Sequence, residues 1–166
     1  TLRMKAYREL FRSVGAWVFL TEEERRLVAA VADLGAALTA VIGMGVEVEP
    51  APPAGAFRRK LLAPLGEKAA TAPFVLYVGR IVENKGCATL FDYFRRYLGE
   101  PTAPPDLRLV LVGAEAMAVP RHDRIVRLGF LSEEDKRAAL SECGCFVMPS
   151  PYESFSISTL EAMAMG

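Results

Sequence analysis

From Phe74 onward, short apolar runs of strand type alternate with helices that carry one apolar face, and that alternation leaves few folds open. Phe74 to Val78 reads as a strand, and Cys87 to Leu98 as a helix with Leu90, Phe91, Phe94 and Leu98 on its buried stripe. Leu107 to Val112 and Ile125 to Leu128 are further strands, Ser132-Glu-Glu-Asp135 opens a helix to about Glu142, and Cys145 to Met148 is a strand. A last helix runs from about Ser156 or Ser158 to Met165. This pattern predicts an α/β fold, a Rossmann-like parallel sheet flanked by helices with right-handed crossovers. Ligands of such sheets bind outside the carboxyl ends of the strands. Function is therefore expected in the loops Gly79 to Gly86, Gly113 to Asp123, Gly129 to Leu131 and Pro149 to Phe155.

Upstream, Thr21-Glu-Glu-Glu24 reads as a capping box opening a helix with Leu27, Val28, Val31 and Leu34 on one face, closed by Gly35. Val18 to Leu20 and Ala37 to Ile42 flank it as strands, and three elements cannot close a core by themselves. Five of the eleven prolines fall between Pro50 and Pro73, around the basic cluster Arg58-Arg59-Lys60. A connecting segment or hinge looks like this, and a domain boundary is expected near residues 43 to 55. The final helix runs into Gly166, a glycine end that normally leads on to another strand, so the chain is expected to be a piece of a longer one.

Composition narrows the function classes. With 52% hydrophobic and 24% charged residues the chain can bury a core, which excludes wholesale disorder. Twenty basic residues against twenty acidic ones give a formal net charge of zero, which argues against a nucleic-acid partner. Cys87, Cys143 and Cys145 are an odd number without a C-x-x-C pair, which fits neither a disulfide framework nor a zinc ribbon and points to a reducing, cytoplasmic setting. The single histidine, His122, reads as a solvated loop residue. The most apolar stretch, Val28 to Val46, is broken by Asp33 and by glycines 35, 43 and 45, so no transmembrane segment is expected. Gly43-Met-Gly45 lacks the third glycine of a dinucleotide signal and reads as a turn.

Two constellations carry chemistry. Gly79-Arg80-Ile-Val-Glu-Asn-Lys85-Gly86 places a guanidinium and an ammonium at the mouth of the sheet, just before a helix N-terminus. Arg binds phosphate oxygens bidentately and Lys acts as a movable point charge, a pairing suited to a diphosphate; solvated loop cations are the plainer alternative. Pro149-Ser-Pro-Tyr-Glu153-Ser-Phe155 leads through Ser156, Ile157 and Ser158 to Glu161, with Glu153 in the loop and Glu161 in the first turns of the helix. Carboxylates beside helix-terminal amides suit a ligand rich in hydroxyls and phosphate. The plainer alternatives are an exposed loop acid for Glu153 and, for Glu161, the end of a capping box begun by Ser158.

These stretches, with Leu109-Val-Leu-Val-Gly113, Val126-Arg-Leu-Gly129-Phe130 and Leu160-Glu161-Ala-Met-Ala, resemble the C-terminal domain of the retaining glycosyltransferases of GT-B fold called group 1 or family 4. Leu20 to Arg25 and Val41 to Glu47 resemble, more weakly, the end of that family's first domain and its crossing into the second. The resemblance implies three parts. Residues 1–49 would be the end of an N-terminal acceptor domain with the crossover, 50–72 a linker, and 73–166 an incomplete nucleotide-sugar-binding domain, the C-terminal half of a GT-B fold cut short at its end. It implies that Arg80 and Lys85 hold the donor's diphosphate and neutralise its departing charge, with no metal and no further cofactor. Glu153 would orient the donor sugar, the amides of Phe155, Ser156 and Ile157 would touch phosphate or sugar, and Glu161 would accept from the ribose. Gly79 would belong to the phosphate loop, and the backbone of Gly129, Phe130 and Leu131 would border the base.

The implied donor is a UDP-, GDP- or ADP-hexose, and the acceptor stays open among a polysaccharide, a lipid-linked glycan and a small molecule. The whole protein would act in the cytoplasm, with peripheral contact at the inner membrane face left open, and this polypeptide alone would be inactive. Ser156 stands where the family often has glycine, and Met44 where it usually has asparagine. A nucleotide-sugar 2-epimerase or hydrolase of the same fold, and a non-catalytic nucleotide-binding module, are the alternative readings.

Overall fold

The computed structural model describes residues 2–153 and 155–166. The chain divides into two compact units, one reaching to Gly45 and including Phe155 and Ser156, the other formed by Val46–Glu153 and Ile157–Gly166.

In the first unit α1 (Leu2–Arg12), β1 (Ala16–Phe19), α2 (Glu22–Val31) and β2 (Leu38–Val41) follow one another. The two strands pair in parallel, from Ala16 opposite Leu38 to Phe19 opposite Val41. The capping box forms as its residues predict: the Thr21 hydroxyl accepts from the Glu24 N–H at 3.0 Å, and the Glu24 carboxylate accepts from the Leu20 N–H at 2.8 Å. Two expectations need correcting. Helix α2 stops before Gly35, because Ala32 turns extended and the Asp33 carboxylate takes the Gly35 N–H at 3.0 Å in a local turn. Its apolar stripe is also not buried, with Leu27 62% and Val31 58% exposed, since two strands and two helices supply too little surface to cover it. Helix α1, which the sequence reading did not anticipate, brings Phe11 edge-on to Trp17 at 5.2 Å, and Trp17 stacks on Phe19.

The second unit is built on β3 (Phe74–Val78), β4 (Arg108–Val112), β5 (Ile125–Arg127) and β6 (Cys145–Phe146), all parallel, in the order β5-β4-β3-β6. Helices α4 (Cys87–Tyr97), α5 (Glu133–Glu142) and α6 (Ile157–Met165) connect or follow these strands. Parallel sheets are covered on both faces, which is why β3 and β4 read as unbroken apolar runs. Phe74, Leu76, Val78, Val110 and Val112 pack with Phe57, Leu62 and the alanines of α5 in one core. Tyr77, Leu109 and Leu111 pack with Cys87, Phe91 and Phe94 in the other, so the predicted stripe of α4 is the one that is buried.

The stretch 50–72, expected as a linker, instead joins this core over most of its length. A π-helical turn at Arg58–Leu62, a tighter turn at Ala63–Leu65 and the short helix α3 (Glu67–Thr71) bury Phe57, Leu62 and Ala69 completely. The proline count outweighed those apolar residues in the sequence reading. Glu142, at the end of α5, accepts the backbone N–H of Phe57 at 2.9 Å and of Arg58 at 3.1 Å. Arg58 in turn donates to the carbonyls of Ala70 and Ala72 and lies 5.0 Å over the Phe74 ring. Lys60–Asp135 at 2.8 Å and Arg137–Glu49 at 2.7 Å add two more ties to α5.

Replacing Glu142 by alanine leaves the partly buried N–H groups of Phe57 and Arg58 without their acceptor and takes a carboxylate from 3.8 Å beside the Arg58 guanidinium, at a cost of about 2 kcal/mol. Urea unfolding of Glu142→Ala should show a lowered midpoint with an unchanged slope. A midpoint equal to that of the parent protein would remove the carboxylate from any anchoring role.

Candidate functional site

Where β3 ends, the Gly79 N–H donates to the Val112 carbonyl at 2.9 Å, and one strand over, the Gly113 N–H donates to Gly129 at 2.7 Å. Gly113 has φ +130°, and a β-carbon there would run into the Gly79 carbonyl, so the loops after β3 and β4 meet backbone to backbone. Ile81 N–H to the Ala114 carbonyl, at 2.8 Å, extends the seam. Above it opens a cleft of about 420 Å³ bordered by Gly79, Arg80, Phe130, Leu131 and Lys136 among others.

The Arg80 loop is pinned from below. Tyr77 is wholly buried and its hydroxyl donates to the Arg80 carbonyl at 2.8 Å. Burial first, and then the neighbouring Cys87 thiol, push that hydroxyl far above the ordinary tyrosine range, so it stays protonated as a donor. The Arg80 side chain itself is exposed, and among the described residues no carboxylate forms an ion pair with it.

A second close approach sets the other half of the site. Gly86, the residue before α4, adopts a left-handed φ of +74°, and a β-carbon on it would collide with the Pro149 carbonyl. That contact presses loop 149–153 against loop 80–86 and brings Glu153 Oε2 to 2.7 Å from Lys85 Nζ. Glu161, on α6, lies 2.8 Å from Lys136 Nζ through Oε1, and Lys136 also meets Glu133 at 2.7 Å. The capping alternative for Glu161 fails, because α6 already begins at Ile157 and the carboxylate turns to α5 instead.

Of the residues singled out in the sequence, Gly79, Arg80, Phe130 and Leu131 border the cleft, and Gly129 is tied to it through Gly113. Lys85 and Glu153 form one ion pair, and Glu161 reaches the cleft through Lys136. Ile157 is the first residue of α6, and Phe155 and Ser156 group with the first unit. Tyr77 and Lys136 are site residues that the sequence pattern did not single out, and Gly113 stood there only as the start of an expected functional loop. Lys136 had a signal: three and four residues before Ala139 and Leu140, it is a charge on the buried face of α5. Among the described residues no group of three or more His, Cys, Asp or Glu side chains is placed to hold a metal, and no helix is long and apolar enough to cross a membrane.

Residues 72–166 match the family model for glycosyl transferases of group 1. Glycogen synthase 2 of Geobacter metallireducens is 32% identical over 123 residues, covering 68% of this chain and 24% of that protein. The Bacillus subtilis glycosyltransferase YqgM is 35% identical over 102 residues, covering 56% of this chain and 28% of its own length. The chain thus spans about a quarter of the length of these curated relatives. Among solved structures, Anabaena HepE in complex with UDP-glucose superposes with a TM-score of 0.75 over 99% of this chain and 46% of that one, at 19% identity, a likeness that shows the fold alone.

Gly86→Ala forces a side chain into left-handed backbone and against Pro149, and should cost about 2–4 kcal/mol. Chemical denaturation measures it, and a loss under about 0.5 kcal/mol would mean that loop 149–153 yields freely and does not depend on the glycine.

Proposed function

Since this chain belongs to the group 1 glycosyl transferases, we propose that its second unit is the nucleotide-sugar-binding part of a retaining, family 4 hexosyltransferase of GT-B fold. The observation that supports this most directly is the Arg80 guanidinium, standing without a carboxylate partner in a cleft at the carboxyl ends of parallel strands. An unpaired cation there attracts an anion, and the Gly79–Gly113 seam lets a ligand approach the backbone closely.

In this reading a UDP-, GDP- or ADP-hexose lies with its diphosphate against Arg80. Lys85, held by Glu153 beforehand, adds a second positive charge as the diphosphate leaves the sugar and takes up negative charge. Glu153 orients the sugar hydroxyls, Glu161 accepts from the ribose, and the backbone of Gly129, Phe130 and Leu131 borders the base. The amides of Phe155, Ser156 and Ile157 complete the contacts to phosphate or sugar. The side chains supply the charge that a divalent metal would, so catalysis needs no bound metal and no other cofactor. The whole enzyme works in the cytoplasm, and a further domain brings the acceptor, a polysaccharide, a lipid-linked glycan or a small molecule. This polypeptide alone binds the donor without transferring the sugar.

The test is calorimetric titration with UDP, GDP, ADP and the corresponding nucleosides, without metal, at fixed salt. One diphosphate should bind well above its nucleoside, and Arg80→Ala or Lys85→Ala should weaken the diphosphate about tenfold or more while sparing the nucleoside. Equal losses for both ligands would show that neither cation serves the phosphates.

A further inference from the structure

Lys136 holds an unusual position for a lysine. It sits on the buried face of α5 with its side chain 16% exposed, borders the cleft that contains Arg80, and bonds two carboxylates, Glu133 at 2.7 Å and Glu161 at 2.8 Å. Glu161 is likewise largely withdrawn from water, with 20% of its side chain exposed. If α5 and α6 needed only to adhere, an apolar pair would do so without desolvating two charges, because a withdrawn ion pair contributes little net stability. Lys136 instead borders the cleft and holds the Glu161 carboxylate directly behind it, where orientation of a carboxylate matters.

We propose that Lys136 is a positioning residue for ribose recognition, its ammonium fixing the Glu161 carboxylate so that a ribose hydroxyl in the cleft finds an oriented acceptor. The inference rests on the donor-binding reading above, in which Glu161 meets the ribose. The Lys136 bond engages Oε1, so a hydroxyl would donate to Oε2. Glu133 holds the same ammonium at 2.7 Å. An ammonium has three N–H donors, and the two carboxylates use two of them, which leaves one for a ligand oxygen. Burial by itself would lower the ammonium's pKa. The hydrogen bonds to Glu133 and Glu161 and the charge of the two carboxylates together outweigh it and the net shift is upward, so the clamp stays charged at neutral pH.

The distinguishing measurement is ribose discrimination, which a purely structural tie would leave unchanged. The protein is titrated with UDP, GDP and ADP and with their 2′-deoxy and 3′-deoxy counterparts, and the ratio of affinities is taken for the base that binds best. The parent protein should prefer one ribose hydroxyl by about tenfold or more, the usual worth of a hydrogen bond to a carboxylate. Glu161→Gln sets the floor of that ratio. Lys136→Met should fall to the same floor, below about threefold, while Lys136→Arg should keep most of the preference. Lys136→Gln, neutral but of similar reach, is read in the same way if the methionine variant does not fold.

A preference that Glu161→Gln abolishes but the Lys136 variants retain overturns this proposal and leaves the donor-binding reading intact. A parent protein with no ribose preference, or with no affinity for any of the diphosphates, overturns the reading of Glu161 and the role of Lys136 with it.

Discussion

The contact on which half of the site depends is backbone against backbone, Gly86 lying directly on Pro149. Neither residue carries a reactive group. With a β-carbon at position 86, though, the strand-end loop 149–153 could not come down onto the start of α4, and Lys85 and Glu153 could not meet at 2.7 Å. The Gly79–Gly113 approach does the same on the other side of β3. The two contacts flank the one strand that pairs with β4 on one side and β6 on the other, so the loops that follow these parallel strands leave the same edge of the sheet.

How far the sequence could reveal this depended on what each signal physically encodes. Strands β3 and β4 were legible because burial on both faces demands unbroken apolar runs, and the starts of α2 and α5 because Thr21 and Ser132 accept the very N–H groups that their spacing predicts. Segment 50–72 was misread because prolines mark a break in regular hydrogen bonding, not a break in packing, and Phe57 and Leu62 are buried through irregular turns. Arg80, Lys85, Glu153 and Glu161 stood out as ionisable residues at strand-end and helix-start positions. Their pairing did not, because Lys136–Glu161 joins residues 25 apart and Lys85–Glu153 residues 68 apart, distances across which no local pattern extends. Tyr77 was hidden for another reason: as an apolar ring in an apolar strand it resembles core, and only its hydroxyl, donating to the Arg80 carbonyl, distinguishes it.

The charges are arranged unequally, and that inequality bears on how the cleft would work. Glu153 and Glu161 are each already joined to a lysine, while of the two basic residues that border the cleft, Arg80 and Lys136, only Arg80 has no carboxylate partner among the described residues. A ligand bringing two negative charges would thus meet one free guanidinium at once and would have to compete with Glu153 for the Lys85 ammonium. The competition is favourable only if the carboxylate gains hydroxyl donors in exchange, since a carboxylate left desolvated and unpaired is costly. A ligand carrying diphosphate and polyhydroxyl groups in one molecule satisfies both halves of that exchange. A bare diphosphate satisfies only the first.

Preorganisation follows from the same arrangement. Fixing a carboxylate against a cation before the ligand arrives moves the loss of side-chain freedom from the binding step to folding, where the surrounding core already bears it. Lys136 is well suited to this because its stem lies on the packed face of α5, next to Ala139 and Leu140, which are 0% and 5% exposed. Lys85 lies on a short turn, with its side chain 36% exposed against 16% for Lys136. The two Lys–Glu pairs therefore differ in kind: the one rooted in a helix favours orientation, and the one carried by a loop favours exchange. That division would suit the proposed donor, one part of which would stay whole while a bond in the other is broken.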